Sequence, residues 1–84
     1  MQIVNRLGLH ARAAARLVHL ANRFSASITV SKGRSRVDGK SILGLLTLAA
    51  SKGTRLTLTA DGHDEQEALA QLSQLVGERF GEEE

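Results

Sequence analysis

The spacing of apolar side chains divides the chain into seven short segments. Residues 11–24 carry apolar side chains at steps of three and four, which is typical of an amphipathic helix. Residues 25–31 alternate apolar and polar positions, which is typical of a strand with one buried face. The pattern predicts, in chain order, a strand at 2–5, a helix at 11–24, strands at 25–31 and 34–37, a short helix at 42–48, a strand at 54–60 and a helix from Asp64 to about Phe80.

This order of elements predicts a single α+β domain spanning residues 1–84. Half-buried strands and amphipathic helices fit a two-layer, open-faced sandwich, in which helices cover one face of a four-stranded, mostly antiparallel sheet (βαββαβα). The pattern alone fits a ferredoxin-like arrangement equally well. We expect Asp64 to cap the last helix, with Glu67 at the spacing of a capping box, and residues 82–84 to form a frayed tail.

The composition fits one small domain with an aliphatic core. Apolar residues make up 42% of the 84 residues and aromatic residues only 2%, so aliphatic side chains must fill the interior. The absence of cysteine excludes a disulfide framework and a cysteine metal site. No apolar stretch approaches the length of a membrane span. The arginine-rich start resembles a mitochondrial presequence, but Gly8 interrupts a helix there and the segment supplies core residues.

The charge is unevenly distributed along the chain. Lysine and arginine total 11 against 9 acidic residues, and no acidic residue precedes Asp38. A basic first half favours an acidic partner surface or an anionic group as the binding partner. It also suits nucleic acid, although the chain offers almost no aromatic side chain on which bases could stack.

His10 lies where the first predicted strand ends and the first predicted helix begins. A helix start leaves backbone N–H groups without partners and favours an anion. The same field disfavours the imidazolium form and keeps the ring neutral and nucleophilic. Arg12 adds a cation in the first turn that can bind phosphate. These groups together suit a site that accepts and returns a phosphoryl group, whereas the commoner explanation from the residues alone is an exposed histidine without a chemical role.

Two further segments are candidates for partner contact. Arg16 lies near the start of the predicted helix, where a cation opposes the helix dipole, so a functional reason for it is favoured. Ser41 is a preferred N-cap residue and needs no functional explanation. A short helix after it that buries Leu45 and Leu48 leaves three apolar side chains toward solvent, which is typical of a docking surface; these are Ile42, Leu43 and Leu46.

Three segments carry a resemblance to a known family. Residues 8–12, Gly-Leu-His-Ala-Arg, resemble the active-site motif of HPr, the histidine-containing phosphocarrier family of the bacterial phosphotransferase system. Residues 39–46 resemble the regulatory-serine segment of that family, and residues 50–62 resemble its last strand. The family usually has proline where this chain has Ala13, and we expect this difference to alter loop rigidity without loss of chemistry.

The resemblance implies an open-faced sandwich and a carrier that is not itself an enzyme. His10 would accept a phosphoryl group from phosphorylated Enzyme I, on the ring nitrogen nearer the backbone, and pass it to a sugar-specific or nitrogen-related enzyme IIA. Arg12 would balance the phosphate charge, and the exposed apolar residues after Ser41 would meet both partners. Ser41 matches the serine that a dedicated HPr kinase/phosphorylase modifies in some bacteria. No cofactor and no metal are implied, and the protein is expected to be a cytoplasmic monomer.

Two alternatives stay open on the sequence alone. One is a regulatory HPr-like protein that acts through Ser41 and partner binding, although relatives of that type lack the histidine that is present here. The other is a small nucleic-acid-binding domain, which the basic first helix and a calculated pI near 9.7 suggest.

Overall fold

Three helices form at the predicted amphipathic segments. The computed structural model describes residues 1–84 and contains helices α1 (Ala11–Ala21), α2 (Ile42–Thr47) and α3 (Glu65–Gly77). The strands are β1 (Ser27–Lys32), β2 (Ser35–Asp38) and β3 (Thr57–Asp61), and a 3₁₀ helix at Arg79–Gly81 follows α3. None of the helices combines the length and the apolar character that crossing a membrane requires.

The sheet has three antiparallel strands in the order β2-β1-β3. In the central strand, Val30 lies opposite Val37 on one side and Leu58 on the other. The alternation predicted for residues 25–31 is confirmed, because Ala26, Ile28 and Val30 are buried while the polar residues between them are not. One face of the sheet therefore lies against the helices and the other faces solvent.

The fourth strand predicted at residues 2–5 is not confirmed. Gln2 forms a single antiparallel bridge with Arg55, and the backbone of Ile3 donates to Thr54 and accepts from Gly53. The extended backbone stops at Asn5, whose side-chain amide donates to the Gly8 carbonyl at 2.8 Å and closes a turn. The side-chain bond explains the shortening, since it draws the chain into a turn before a regular ladder can form.

The first helix ends earlier than the apolar spacing predicts. Helix α1 stops at Ala21, and the N–H groups of Arg23 and Phe24 donate to carbonyls three residues back in a tightened last turn. Phe24 is still buried. Its apolar side chain therefore packs the turn after α1 against the core, although the helix does not continue to this residue.

Asp64 does not cap α3 with its side chain, contrary to the prediction. Its carboxylate accepts hydrogen bonds from the N–H groups of Ser25 and Ala26, at 2.8 and 2.9 Å. Those amides lead into β1 and lie outside its strand pairing. The hydrogen bond from Ser25 is the main cause that holds the pKa of Asp64 below its ordinary value of 3.8. Asp64 thus joins the start of α3 to the start of β1.

The core lies between the helices and the sheet and is almost entirely aliphatic. The largest fully buried apolar side chains come from every part of the chain: Ile3, Leu17, Val30, Leu45, Leu56, Leu72, Val76 and Phe80. Phe80 adopts a left-handed backbone conformation (φ 56°) that turns the chain after α3 back toward α1. The last residues are therefore held over the start of α1, and the predicted frayed tail is wrong.

Candidate functional site

The loop that delivers His10 is fixed by its neighbours. Gly8 has φ 69°, and a Cβ atom there would lie 2.5 Å from the Ala50 carbonyl oxygen, so only glycine fits. The next residue, Leu9, is buried and its N–H donates to the same carbonyl at 2.8 Å. Since the backbone is held on both sides of this turn, the position of His10 at the start of α1 is well defined.

His10 is the N-cap residue of α1 but its side chain does not cap the helix. Its backbone is extended, and its ring makes no hydrogen bond to the first turn. The N–H groups of Ala11, Arg12 and Ala13 accordingly have no intrahelical partner. These three amides, at the positive end of an 11-residue helix, favour an anion beside the ring.

One edge of the His10 ring is occupied by a carboxylate from the far end of the chain. Nε2 of His10 lies 2.5 Å from Oε2 of Glu82, which is 72 residues later. The two side chains are partly exposed, by 24% and 14% respectively. The hydrogen bond of the ring is made by Nε2, so Nδ1, the nitrogen nearer the backbone, is the one that is free to react.

Asn5 holds the Glu82 carboxylate in place. Asn5 is fully buried, and its Nδ2 donates to Oε1 of Glu82 at 2.8 Å while also bonding the Gly8 carbonyl. The Asn5 hydrogen bond is the largest cause that lowers the pKa of Glu82, followed among the lowering effects by the bond to His10 and the charges of His10 and Arg12. Burial acts in the opposite direction. Glu82 is therefore held as a carboxylate beside the imidazole.

The two predicted arginines have different surroundings. Arg12 is exposed and lines an open cleft together with Glu82, Glu83 and Glu84 of the tail. Arg16 donates from Nη1 to the Phe80 carbonyl. Arg16 therefore anchors the returning tail, a contact that was not predicted from the sequence.

Ser41 and the helix after it match the predicted burial. Ser41 Oγ accepts from the Gly44 N–H at 3.0 Å, which confirms it as the N-cap of α2. Leu45 is fully buried, whereas the residues of the predicted docking surface are exposed. We call these residues the apolar patch: Ile42, Leu43 and Leu46. Leu7, which is 57% exposed and shares a shallow hollow with His10, is a further exposed apolar residue that was not predicted.

Glu82 and Asn5 were also not predicted as site residues. No local pattern links a residue of the first turn to a glutamate 72 positions later, because the contact depends on the left-handed turn at Phe80. Glu82 changes the expected state of the His10 ring. The helix field disfavours a charged imidazole, whereas the Glu82 carboxylate favours a proton on Nε2.

No cluster of three or more histidine, aspartate or glutamate side chains is placed to hold a metal ion.

Comparison with known proteins finds close matches over nearly the whole chain. A sequence model of the family described as the phosphotransferase system HPr component phosphorylation site matches residues 1–78. The phosphocarrier protein HPr of Neisseria meningitidis serogroup A is 49% identical over 84 residues, covering 100% of this chain and 94% of the relative.

Solved structures show the same fold. The crystal structure of HPr from Thermoanaerobacter tengcongensis superposes with a TM-score of 0.96 at 44% identity, covering 100% of this chain and 94% of that one. Crh of Bacillus subtilis, a catabolite repression protein solved as a domain-swapped dimer, matches with a TM-score of 0.81 at 46% identity, covering 94% and 91%. By sequence and by structure, this chain belongs to the HPr family of the phosphotransferase system.

Proposed function

We propose that this phosphocarrier protein receives its phosphoryl group on Nδ1 of His10 and returns it from the same atom. The observation that carries the proposal is the environment of the ring, in which Nε2 is bonded to Glu82 while Nδ1 is free beside unpartnered helix amides. The Nδ1 lone pair attacks the phosphorus of a phosphorylated donor, and the bond from phosphorus to the donor atom breaks. The protein is a substrate of phosphotransferase enzymes and not an enzyme.

Arg12 and the first-turn amides stabilise the transferred group in this proposal. A phosphoryl group on Nδ1 brings about two negative charges to the start of α1. The free N–H groups of Ala11, Arg12 and Ala13 and the Arg12 guanidinium can donate to its oxygens. The absence of proline at Ala13 leaves one more of these donors available.

The proposed partners dock beside His10. We assign phosphorylated Enzyme I as donor and a sugar-specific or nitrogen-related enzyme IIA as acceptor, following the family resemblance. The apolar patch on α2 supplies a contact surface, and Leu7 in the hollow beside His10 extends the apolar character of this region. Arg16 contributes positive charge on α1, although its contact with the Phe80 carbonyl restricts its orientation. We place this exchange in the cytoplasm.

The experiment that tests the carrier function is phosphorylation with phosphoenolpyruvate and a bacterial Enzyme I, followed by intact mass measurement. We expect the mass gain of one acid-labile phosphoryl group, which is lost in His10→Ala. His19→Ala and His63→Ala are matched controls, because both of these histidines are exposed and make no hydrogen bond, and both variants should gain the group as the wild type does. A mass gain that persists in His10→Ala would contradict the assignment.

Ser41 is the proposed regulatory site, modified by an HPr kinase/phosphorylase where one is present. Aspartate also caps helices well, so Ser41→Asp should keep the stability within about 0.5 kcal/mol while the new charge slows transfer to His10 by about tenfold or more. Ser41→Ala is the matched control, since it should cost about 1 kcal/mol through loss of the Gly44 bond and leave transfer unchanged. Equal transfer rates for the wild type and Ser41→Asp would remove the regulatory assignment.

A purely regulatory function is the second candidate, because Crh of Bacillus subtilis is among the matching structures. The presence of His10 in a complete helix-start site favours the carrier.

We also propose that the protein is a monomer, since a carrier must present one face to successive partners. Sedimentation at micromolar concentration should give a single species of 9.0 kDa, and a stable dimer would refute the monomer proposal.

A further inference from the structure

The contact between Glu82 and His10 has the features of a built site. Glu82 reaches Nε2 of His10 with one oxygen and the buried amide of Asn5 with the other. Asn5 uses both protons of Nδ2, one on Gly8 and one on Glu82, so its amide orientation is fixed. The buried Oδ1 of Asn5 has no partner, a cost that the two donated bonds must offset.

The tail is anchored independently of this contact. Arg16 on α1 donates to the Phe80 carbonyl, and Arg6 forms an ion pair of 3.1 Å with Glu84 besides donating its backbone N–H to the Glu84 carbonyl. These bonds lie on both sides of Glu82 in the sequence. The Glu82 carboxylate is therefore presented to the ring by a held backbone.

We propose that Glu82 is a positioning residue that holds a proton on Nε2 of His10 in both the free and the phosphorylated protein. The inference rests on the proposed function, since it assigns how the ring is prepared for phosphoryl transfer. A carboxylate accepts hydrogen bonds and cannot donate one, so Nε2 must carry the proton. In a neutral imidazole the lone pair is then on Nδ1.

This arrangement lets the phosphoryl group move in both directions without moving a proton. On acceptance, the Nδ1 lone pair forms the bond to phosphorus, the donor bond breaks with its electron pair, and the ring becomes cationic with its proton still on Nε2. The Glu82 carboxylate balances that charge. On return, the Nδ1–phosphorus bond breaks with its electron pair going back to Nδ1, which leaves a neutral ring.

The other charged groups around the ring do not replace Glu82. Arg12 on α1 and Arg6 line the same cleft, and Arg12 contributes to lowering the pKa of Glu82. Glu84 is paired with Arg6. Glu83 lines the cleft as well but makes no hydrogen bond or ion pair and is exposed, so Glu83→Gln is a matched control for Glu82→Gln.

The first test uses phosphoramidate, a chemical phosphoryl donor that needs no Enzyme I, and locates the phosphoryl group on the ring by ¹⁵N and ³¹P NMR. We expect phosphorylation at Nδ1 of His10 in the wild type and in Glu83→Gln. Glu82→Gln should give at least a severalfold larger share at Nε2, approaching the distribution at the exposed His19 and His63. An unchanged Nδ1 product in Glu82→Gln, or no reaction at His10 in the wild type, would overturn the inference.

The second test measures the hydrolysis of the phosphorylated protein against pH. Cleavage is fast while Nε2 is protonated, so loss of the carboxylate in Glu82→Gln should move the profile about one pH unit lower. The Glu83→Gln profile should superpose on that of the wild type. Equal shifts in both variants, or no shift in Glu82→Gln, would overturn the inference. Failure of the carrier function shows separately, as a wild type that Enzyme I does not phosphorylate.

Discussion

Single residues decide whether the loop before α1 can form. Gly8 combines a positive φ with a close approach to the backbone of residues 50 and 51, with a Cβ position only 2.5 Å from the Ala50 carbonyl oxygen. We expect Gly8→Ala to lower the free energy of unfolding by about 2 kcal/mol or more, because it adds a steric clash to the cost of a left-handed backbone. Urea unfolding at neutral pH measures the change.

Gly33 is the control for that prediction. It has a similar φ of 57°, yet no atom lies within 4 Å of the place that a Cβ atom would occupy, since it belongs to the open β1–β2 turn. Gly33→Ala should therefore cost only about 1 kcal/mol, which is the backbone contribution alone. If the two variants lost the same stability, the close approach at Gly8 would not be the cause.

The placement of His10 and Arg12 at the start of α1 could be predicted from the sequence, whereas the placement of Glu82 beside His10 could not. The first two are recognised locally, because a helix start and a cation in its first turn are features of adjacent residues. Glu82 reaches the site through the left-handed turn at Phe80 and the buried amide of Asn5. Neither has a periodic signal, and a left-handed phenylalanine contradicts its ordinary backbone preference.

At the level of elements, the junction of α3 and β1 depends on one carboxylate. Asp64 accepts two backbone hydrogen bonds and its pKa is lowered, chiefly by the Ser25 N–H. A lowered folded-state pKa gives stability that is present above the unfolded pKa and is lost as pH falls through the folded one. Asp64→Asn should therefore reduce stability at neutral pH, and the difference from the wild type should shrink as pH falls below the unfolded pKa of about 3.8 and through the lowered folded-state pKa.

Thermal unfolding across this pH range checks the prediction, with Asp61→Asn as the control. Asp61 is exposed and its side chain makes no hydrogen bond. Its substitution should leave the pH dependence as in the wild type. A difference between Asp64→Asn and wild type that stayed constant from neutral to acid pH would mean that the charge on Asp64 is irrelevant.

Helix α2 carries exposed and buried apolar side chains within one turn. Leu43 is 74% exposed and Leu45 is fully buried. Leu43→Ala should keep stability within about 0.5 kcal/mol while weakening partner binding by about tenfold, because it truncates the most exposed side chain of the apolar patch. Steady-state transfer assays with Enzyme I measure the change in KM.

Leu45→Ala is the matched variant from the same helix. It should lose about 2–5 kcal/mol of stability through a cavity in the core, and its transfer kinetics should be near normal at temperatures where it remains folded. Normal KM values for Leu43→Ala would show that the apolar patch is not a docking surface.

Element types were predictable along most of the chain, whereas element ends were not. The alternation in β1 and the burial of Leu45 and Leu48 follow from periodicity, which a covered sheet face imposes directly. The early end of α1 and the missing strand at residues 2–5 depend on specific hydrogen bonds, such as the one from Asn5 to Gly8. Such side-chain bonds leave no repeating pattern in the sequence.

On the scale of the whole molecule, positive charge is concentrated in the stretch before Asp38, which includes α1 and carries seven of the 11 lysine and arginine residues. The net charge of +2 understates this, because no acidic residue precedes Asp38. We expect association with Enzyme I to slow by about tenfold or more as salt rises, since steering by opposite charges is screened. Stopped-flow transfer at several ionic strengths measures the slope. Arg12→Gln should reduce the dependence of the association rate on ionic strength. Arg34→Gln, which lies in the β1–β2 turn, should leave that dependence unchanged. Equal slopes for the wild type and Arg12→Gln would exclude steering through α1.

The position of Glu82 beyond Phe80 exposes the His10 site, but not the core, to proteolysis of the last segment. Every buried apolar side chain of the core lies at or before Phe80. Loss of the residues from Gly81 onward would leave these buried side chains in place, yet would take away the carboxylate beside His10. Proteolysis in this segment would therefore give molecules that keep the core but lack the proposed positioning carboxylate, and their mass would distinguish them from the uncut protein.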